Sequence, residues 1–256
     1  KKNKPKIIIS GFTAYPRKVN YKKIQEIAKE ISAYHVIDMS HTSGLIAGGA
    51  LESPFRFADV VMTTTHKSLR GPRGALIFSH KDKLKNKNLT INEAINRSIF
   101  PGMQGGPHNN VTLALCVALK EAMKPDFKIY AAQILKNAQS LSNTLRDQGM
   151  ELISGGTDTH LILADVRNFG INGKEAEEKL ESHGIIANRN TIPLDKSPFN
   201  PHGLRMGTPA LTTLGLLEKD MIKIGELIVA ILKNTLKENI IKKEINSLTK
   251  KFKYDN

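Results

Sequence analysis

Residues 63–74 read TTTHKSLRGPRG and lie between two short apolar runs. The two runs predict buried strands, so Lys67 is placed on a polar, glycine-bearing turn at the end of a strand. Open α/β sheets carry their chemistry in such loops. Nearby cations, here Arg70, Arg73 and His66, together with partial burial, favour the uncharged amine that a nucleophile requires. We therefore predict that Lys67 is a catalytic lysine.

A second pattern lies upstream, where residues 35–41 read HVIDMSH. The apolar run predicts a strand whose Asp38 carboxylate emerges at the C-terminal edge, and Lys67 would emerge from another strand of the same sheet. A lysine that forms a Schiff base and an aspartate that holds a ring nitrogen are the protein's standard contributions to pyridoxal phosphate chemistry. The same residues also allow a simpler interpretation, in which a buried Asp38 caps the next helix and Lys67 lies on the surface.

The composition bounds the class of protein. A chain of 256 residues with 40% hydrophobic and 24% charged residues is typical of a globular protein with one large or two modest domains. It contains neither an apolar run of 18 residues nor a signal-peptide core, so we expect no membrane span. The single Cys116 rules out an internal disulfide and fits a reducing cytoplasm. We expect Cys116 to be a small core hydrophobe.

The net charge of +14 suggests nucleic-acid binding as a hypothesis. The distribution of charge argues against it, because most basic residues are Lys, spread along the chain with a concentration at both termini. Arg, the usual base-reading residue, is scarce, and no nucleic-acid motif is present. We expect no specific nucleic-acid binding, although a positive field would help to recruit anionic substrates.

The order of the predicted elements indicates a parallel sheet. A buried strand at 7–10, a helix capped by Asn20 and the strand ending at Asp38 form a β-α-β unit. Further strands are predicted at 58–62, 75–78, near Leu152, at 161–163 and at 185–186. Helices are predicted at 111–123, from Pro125 with Ile129, Ala132, Ile134 and Leu135 on its buried side, at 173–182, 213–236 and 238–250. A polar, Lys-rich surface insertion at 81–92 and a glycine-rich loop at 100–107 separate some of them. We divide the chain into an α/β domain, 1–120, and a smaller α+β domain, 121–256.

Five segments of the chain occur in the same order in one known family: VIDMSH at 36–41, TTTHK at 63–67, RGPRG at 70–74, FPGMQGGP at 100–107 and GLRMGTPA at 203–210. Together they closely resemble serine hydroxymethyltransferase. The resemblance implies an aminotransferase-like fold of type I. Residues 1–120 would be part of the large pyridoxal-phosphate-binding domain, with a mainly parallel sheet, and the rest would be the small C-terminal domain.

The resemblance also implies roles on the cofactor side of the site. Lys67 would form the Schiff base with pyridoxal phosphate, and Asp38 would keep its ring nitrogen protonated. His41 would lie against the cofactor, although a hydrogen-bonded interior histidine is the alternative, and Thr13 would lie near the ring. The other matching positions are Thr64 and His66, which flank the lysine, and Gly105 and Gly106, which would face the cofactor phosphate of a partner subunit in a homodimer.

On the substrate side, the resemblance implies that Arg205 clamps the substrate carboxylate, with a structural salt bridge as the alternative. Arg73 matches a further active-site arginine, and Asn190 matches a folate-contacting position. The implied reaction interconverts serine and glycine and passes a one-carbon unit to tetrahydrofolate as co-substrate. It would take place in the cytoplasm.

The family has an N-terminal region that this chain lacks, and that region supplies a phosphate loop, a stacking aromatic residue and an acid-base glutamate. We therefore expect the chain to be a fragment with an incomplete site. Two alternatives stay open. A threonine aldolase would share Asp38 and Lys67 without needing folate, and a non-catalytic interaction module would bind no pyridoxal phosphate.

Overall fold

The computed structural model describes residues 2–80, 84 and 88–252, which form two compact units. Unit 1 contains the residues up to Thr13 together with Val19–Ile129. Unit 2 contains the short segment Ala14–Lys18 together with the residues from Tyr130 onward. The domain boundary that we predicted near residue 120 lies in the helix that precedes this division.

Unit 1 is built on a four-stranded sheet in the order β1-β2-β3-β4. Its strands are β1 Ile7–Ser10, β2 Tyr34–Asp38, β3 Val60–Thr64 and β4 Ala75–Ser79. β1, β2 and β3 are parallel, and β4 is antiparallel to β3. The predicted α/β class with a mainly parallel sheet is confirmed.

Two of the four helices in the described part of unit 1 begin at a residue whose side chain caps them. The four helices are α1 Tyr21–Glu30, α2 Ser43–Ala47, α3 Ile91–Arg97 and α4 Asn109–Ala122. As predicted, Asn20 caps α1, because its side-chain oxygen accepts a hydrogen bond of 3.0 Å from the backbone of Lys23. Thr90 and Glu93 form a reciprocal capping box at the start of α3. Part of the predicted insertion at 81–92 lies outside the described residues, and its last two residues begin α3.

Burial in unit 1 differs from the prediction at the sheet edges. Ile9 on β1 is 72% exposed, and Ile77 on β4 is also exposed, so the prediction of buried strands is wrong for both. Each is an edge strand with one neighbour, and an apolar run alone does not show whether its faces are covered. The prediction that Cys116 is a core residue is wrong for the same reason, since α4 exposes it together with Leu113 and Val117. The first half of the predicted loop at 100–107 belongs to the helical turn Ser98–Met103.

Unit 2 packs helices against a second, fully antiparallel sheet in the order β5-β6-β8-β7. The strands are β5 Glu151–Leu152, β6 Leu161–Asp165, β7 Asn188–Asn190 and β8 Gly203–Gly207. The helices are α5 Pro125–Asp147, whose first residues belong to unit 1, α6 Gly173–Glu181, α7 Pro209–Thr213, α8 Glu218–Lys233 and α9 Glu238–Thr249. Ile162 and Leu204 on one face of the sheet pack into the core with Leu227 and Ile228 of α8.

Several predicted elements of unit 2 are corrected. No strand forms at 185–186, and the strand is Asn188–Asn190 instead. The predicted helix at 213–236 is interrupted, because Gly215 adopts φ 87° after α7 and α8 begins only at Glu218. The buried side of α5 is Phe127, Ala131, Ile134 and Ala138, whereas the predicted Ile129 and Ala132 are exposed.

Within the described residues, no helix combines the length and the apolar character that crossing a membrane requires.

A buried histidine joins three elements of unit 1. His35 on β2 has no exposed surface. Its Nδ1 lies 2.7 Å from the carbonyl oxygen of Phe57, which can only accept, so Nδ1 carries the hydrogen. Its Nε2 then accepts from the hydroxyl of Ser10 on β1, also at 2.7 Å. Burial lowers the pKa of His35, against the opposing influence of the Phe57 carbonyl and the Asp59 carboxylate.

We expect the free energy of unfolding of unit 1 to fall as the pH drops below about 6.5, the ordinary pKa of histidine. The lowered pKa means that the unfolded chain binds the proton more readily, so the stability present above that pH is lost as the pH falls toward the folded-state pKa. The pH dependence of the free energy of unfolding is measured by denaturant unfolding at intervals of about one pH unit, from about pH 5 to about pH 8. His35→Asn keeps a polar group but cannot titrate, and its slope should be shallower. Equal slopes for the two proteins would contradict the expectation.

Candidate active site

The candidate site is built where β2 and β3 end at the same edge of the unit 1 sheet. The register places Asp38 beside Met62, and the backbone N–H of Met39 donates to the Met62 carbonyl at 2.9 Å. Because the strands are parallel, their carboxyl ends meet at one edge. Asp38 and Thr64, the last residues of β2 and β3, therefore both lie at this edge of the sheet.

Asp38 is held by the residue two positions later. Both the backbone N–H and the hydroxyl of Ser40 donate to the same carboxylate oxygen, Oδ1, at 2.9 and 2.5 Å. Within the described part of the chain, the other oxygen, Oδ2, accepts no hydrogen bond. The Asp38 side chain is half-buried, so one carboxylate oxygen is fixed and the other keeps its acceptor capacity for a ligand.

The same serine connects Asp38 to the lysine. The Oγ atom of Ser40 accepts a hydrogen bond of 2.9 Å from the backbone N–H of Thr64. The Oγ1 atom of Thr64 in turn accepts a hydrogen bond of 3.0 Å from the Nζ atom of Lys67. Lys67 and Asp38 are thus linked through two intervening residues at the edge of one sheet. The structure brings the two central predicted residues together.

The loop that carries Lys67 is closed by its own hydrogen bonds. Thr65 is fully buried, and its backbone N–H donates to the Gly74 carbonyl at 3.0 Å while its hydroxyl donates to the Pro72 carbonyl at 2.5 Å. The N–H of Gly71 returns to the Thr65 carbonyl at 2.7 Å. These bonds fix both ends of the loop, so Lys67 is presented from a rigid turn.

Helix α2 packs directly on this loop. A Cβ atom added to Gly44 would lie 2.2 Å from the carbonyl oxygen of Ser68, so only glycine permits this approach. The N–H of Gly44 donates to the Ser68 hydroxyl at 3.0 Å, and that hydroxyl donates to the carbonyl of His41 at 3.3 Å. The backbone of His41, just before α2, is therefore attached to the loop that carries Lys67.

The negative charge of Asp38 affects the pKa of a nearby tyrosine. Burial raises the pKa of the Tyr21 hydroxyl at the start of α1, and the negative charge of Asp38 raises it further. A hydrogen bond with Thr42 has the opposite effect and lowers this pKa.

A buried nitrogen next to the lysine lacks a hydrogen-bond partner. It is the Nδ1 atom of His66, which makes no hydrogen bond within the described residues. An unpartnered buried polar atom beside the lysine is suited to a ligand group.

The other predicted residues of unit 1 lie in its loops. Thr13 is exposed at the end of the first segment of unit 1. Arg73 is exposed near the end of the Lys67 loop. Gly105 and Gly106 are exposed, and a Cβ atom at either position would meet nothing within 4 Å. The backbone of this loop is therefore uncrowded around its two glycines, which is compatible with an anion-binding loop.

The two remaining predicted residues lie in unit 2. Arg205 is central in β8, where its backbone is paired with Leu163 on β6 and Asn188 on β7. Asn190 is paired with Gly203, two residues before Arg205. Side chains alternate along a strand, so Arg205 and Asn190 project from the same face of the sheet at diagonal positions. The structure therefore brings these two together on one surface.

Sequence reasoning missed Ser40. The pattern that indicates it is a serine two residues after an aspartate at a strand end, where an aspartate side chain commonly accepts the N–H of that position. The pattern does not reveal the second contact, because the bond from Thr64 depends on the pairing of β2 with β3.

Comparison with known proteins then identifies the family. The sequence model of the family described as serine hydroxymethyltransferase matches residues 1–228. The chain belongs to the serine hydroxymethyltransferase family. The resemblance found in its five segments is confirmed.

Curated serine hydroxymethyltransferases are similar to the chain over nearly its whole length. A protein of Schizosaccharomyces pombe named as mitochondrial is 49% identical over 242 residues, covering 92% of this chain and 50% of the relative. A second protein of that yeast, named as probable and cytosolic, is 46% identical, covering 88% of this chain and 50% of the relative. The Desulfotalea psychrophila protein is 46% identical, covering 97% of this chain and 58% of the relative. The chain spans about half the length of the curated relatives it matches.

The position of Asp38 depends on Gly11, which follows β1. Gly11 adopts φ 146°, and a Cβ atom there would lie 2.2 Å from the carbonyl oxygen of Asp38. We expect Gly11→Ala to lower the free energy of unfolding by roughly 2 kcal/mol or more, because it adds a backbone clash to a strained conformation. Equilibrium denaturation measures the loss.

Gly105→Ala is the matched control, since the added methyl group meets no atom within 4 Å. Its effect on stability should stay within about 0.5 kcal/mol. Equal losses for the two variants would show that the close approach of Gly11 to Asp38 does not constrain the fold.

Proposed function

We propose that the protein interconverts serine and glycine with pyridoxal phosphate as cofactor and passes a one-carbon unit to tetrahydrofolate. The observation that supports this most is the hydrogen-bonded link between Asp38 and Lys67 in a chain of this family. Because the chain spans about half the length of its relatives, the activity is proposed for the protein as a whole.

The residues of the site fit pyridoxal phosphate. Lys67 provides an accessible amine, and Asp38 provides an unengaged carboxylate oxygen at the same edge of the sheet. The buried Nδ1 atom of His66 lacks a partner, and the open backbone at Gly105 and Gly106 is suited to a phosphate. When bound, the cofactor supplies an electron-withdrawing ring that stabilises negative charge at the α-carbon of an amino acid.

Each residue then has a definite task. The amine of Lys67 would be the attachment and release group for the cofactor, and Thr64 orients that amine. Asp38 would hold a proton on the ring nitrogen through Oδ2. The remaining assignments on the cofactor side are His41 against the ring and substrate, His66 beside the lysine and Thr13 near the ring.

Two cationic groups suit the substrate. A guanidinium group binds a carboxylate through two parallel hydrogen bonds, so Arg205 is assigned to the substrate carboxylate. Arg73 is assigned as a further active-site arginine, and Asn190, on the same face as Arg205, is assigned to the folate. A fixed carboxylate would hold the substrate in one orientation in the site, which is how positioning residues contribute to rate.

The proposal also covers the oligomeric state and the cellular compartment of the protein. We propose a homodimer in which Gly105 and Gly106 face the partner subunit's cofactor phosphate, supported by the exposed apolar side chains Leu113 and Val117 on α4. We also propose the cytoplasm, which the single, unpaired Cys116 fits. The yeast relatives include one named cytosolic and one named mitochondrial, so localisation in cells is the test of the compartment.

The proposal predicts that pyridoxal phosphate attaches to Lys67. Borohydride reduction of the protein mixed with the cofactor should fix it to the peptide that contains Lys67, as read by mass spectrometry. Lys67→Ala should abolish this labelling, whereas Lys120→Ala, at an exposed lysine of α4, should leave it unchanged. Labelling that persists in Lys67→Ala would contradict the assignment.

The same preparation tests the reaction. Release of glycine from serine should depend on tetrahydrofolate and should fall by at least about 100-fold in Lys67→Ala. Equal release of glycine with and without tetrahydrofolate would favour an aldolase. A wild-type protein that binds no cofactor would favour the interaction module.

We expect Arg205→Lys to raise the KM for serine roughly 10-fold or more, because an ammonium group cannot replace the paired hydrogen bonds of a guanidinium. Steady-state kinetics at saturating folate measures the change. Arg189→Lys is the control, since Arg189 lies on the neighbouring strand β7 and forms an ion pair of 3.2 Å with Glu177. Similar values of KM for the two variants would remove Arg205 from the carboxylate site.

A further inference from the structure

We propose that Ser40 is a positioning residue that orients the Asp38 carboxylate toward the cofactor ring and couples it to the strand that carries the lysine. This inference rests on the proposed function, because it assigns Asp38 to the ring nitrogen. Ser40 does not contact the reacting atoms. It acts through Asp38.

The first contact fixes the carboxylate. Ser40 is 5% exposed, so its hydrogen bonds do not compete with bulk water. Its hydroxyl and its backbone N–H both donate to Oδ1 of Asp38, at 2.5 and 2.9 Å. Two donors on one oxygen define the plane of the carboxylate, and they leave Oδ2 as the acceptor for a ligand.

The second contact fixes the direction of the hydroxyl. The backbone N–H of Thr64 can only donate, so the 2.9 Å bond to Ser40 occupies a lone pair of Oγ. The hydroxyl hydrogen therefore points to Asp38, whose ionised carboxylate can only accept. Both hydrogen bonds run toward the negative charge, and charge-assisted bonds of this kind are the strong ones.

The consequence is a link between two strand ends through a side chain. The backbone pairing of β2 with β3 continues to the bond from Met39 to Met62, and beyond it the Ser40 hydroxyl takes the place of a backbone acceptor for Thr64. The hydroxyl of Thr64 accepts the bond from Lys67. One hydroxyl thus sets the carboxylate and also holds the residue that orients the amine.

Ser40→Ala removes this hydroxyl and leaves the N–H of Thr64 without its acceptor. In the cofactor-free protein, hydrogen exchange at the Thr64 amide should become about 10-fold faster or more. The dissociation constant for pyridoxal phosphate, measured by titration of its visible absorbance, should rise about 10-fold. The pH at which that absorbance reports loss of the ring proton should fall by about one unit, since one unit is a tenfold change in proton affinity.

Ser43→Ala is the matched control. Ser43 is 2% exposed, and its hydroxyl donates to the carbonyl of Ser40 at 3.3 Å; among the described residues it makes no hydrogen bond with Asp38 or Thr64. It should leave the dissociation constant and the pH of the spectral change unaltered. Ser40→Cys fills the space of the hydroxyl with a weak donor. Ser40→Cys should lose as much affinity for pyridoxal phosphate as Ser40→Ala. The test therefore also holds if the smaller alanine disturbs folding.

The outcomes separate this inference from the proposed function. Both the proposed function and the role of Ser40 are supported if wild-type protein binds the cofactor and if Ser40→Ala and Ser40→Cys change the dissociation constant and the pH of the spectral change, while Ser43→Ala changes neither. Wild-type protein that binds the cofactor, with Ser40→Ala matching Ser43→Ala in affinity and spectral pH, overturns the role of Ser40 alone. Wild-type protein that binds no pyridoxal phosphate overturns the proposed function and this role with it.

Discussion

The parallel pairing of β2 with β3 is the constraint on which the candidate site depends. It sets Asp38 opposite Met62, so the next residues of both strands emerge at one edge of the sheet. A slip of one residue in this register would turn Asp38 to the opposite face. The register is specified by buried residues on one face, since the paired Ile37 and Val61 both lie in the core of unit 1. The apolar packing of the strands thus determines where the polar chemistry is placed.

Close backbone contacts convert this register into a rigid site. Gly11 approaches the carbonyl of Asp38, and Gly44 approaches that of Ser68, each at a distance that excludes a side chain. The Lys67 loop is closed by bonds from buried Thr65. A site held by backbone packing needs little reorganisation when a ligand binds, which is the main way that a protein contributes precise geometry to catalysis.

Local patterns predicted the parts of the fold that local sequence determines. The strand ending at Asp38, the loop around Lys67 and the cap at Asn20 all follow from short motifs and periodicity. Features that depend on distant contacts were not predictable. β8 begins and ends with glycine and does not resemble a strand, yet Gly203 is required there because a Cβ atom would lie 2.4 Å from the carbonyl of Asn190. The exposure of Cys116 likewise depends on which helix face is covered, which an apolar run does not encode.

In the candidate site, too, local sequence predicted some residues and distant contacts determined others. Its two charged residues were found from strand ends and residue type, and the family resemblance supplied the positions in unit 2. The hydroxyl that joins the two charges was missed, since its second partner is 24 residues away along the chain.

The central claim is that a single small heterocycle is held between Lys67 and Asp38. A crystal structure of the protein grown with pyridoxal phosphate tests it most directly. We predict a covalent bond between the cofactor's aldehyde carbon and Nζ of Lys67, with the ring nitrogen about 2.8 Å from Oδ2 of Asp38. A cofactor attached to another lysine, or a ring nitrogen directed away from Asp38, would contradict it.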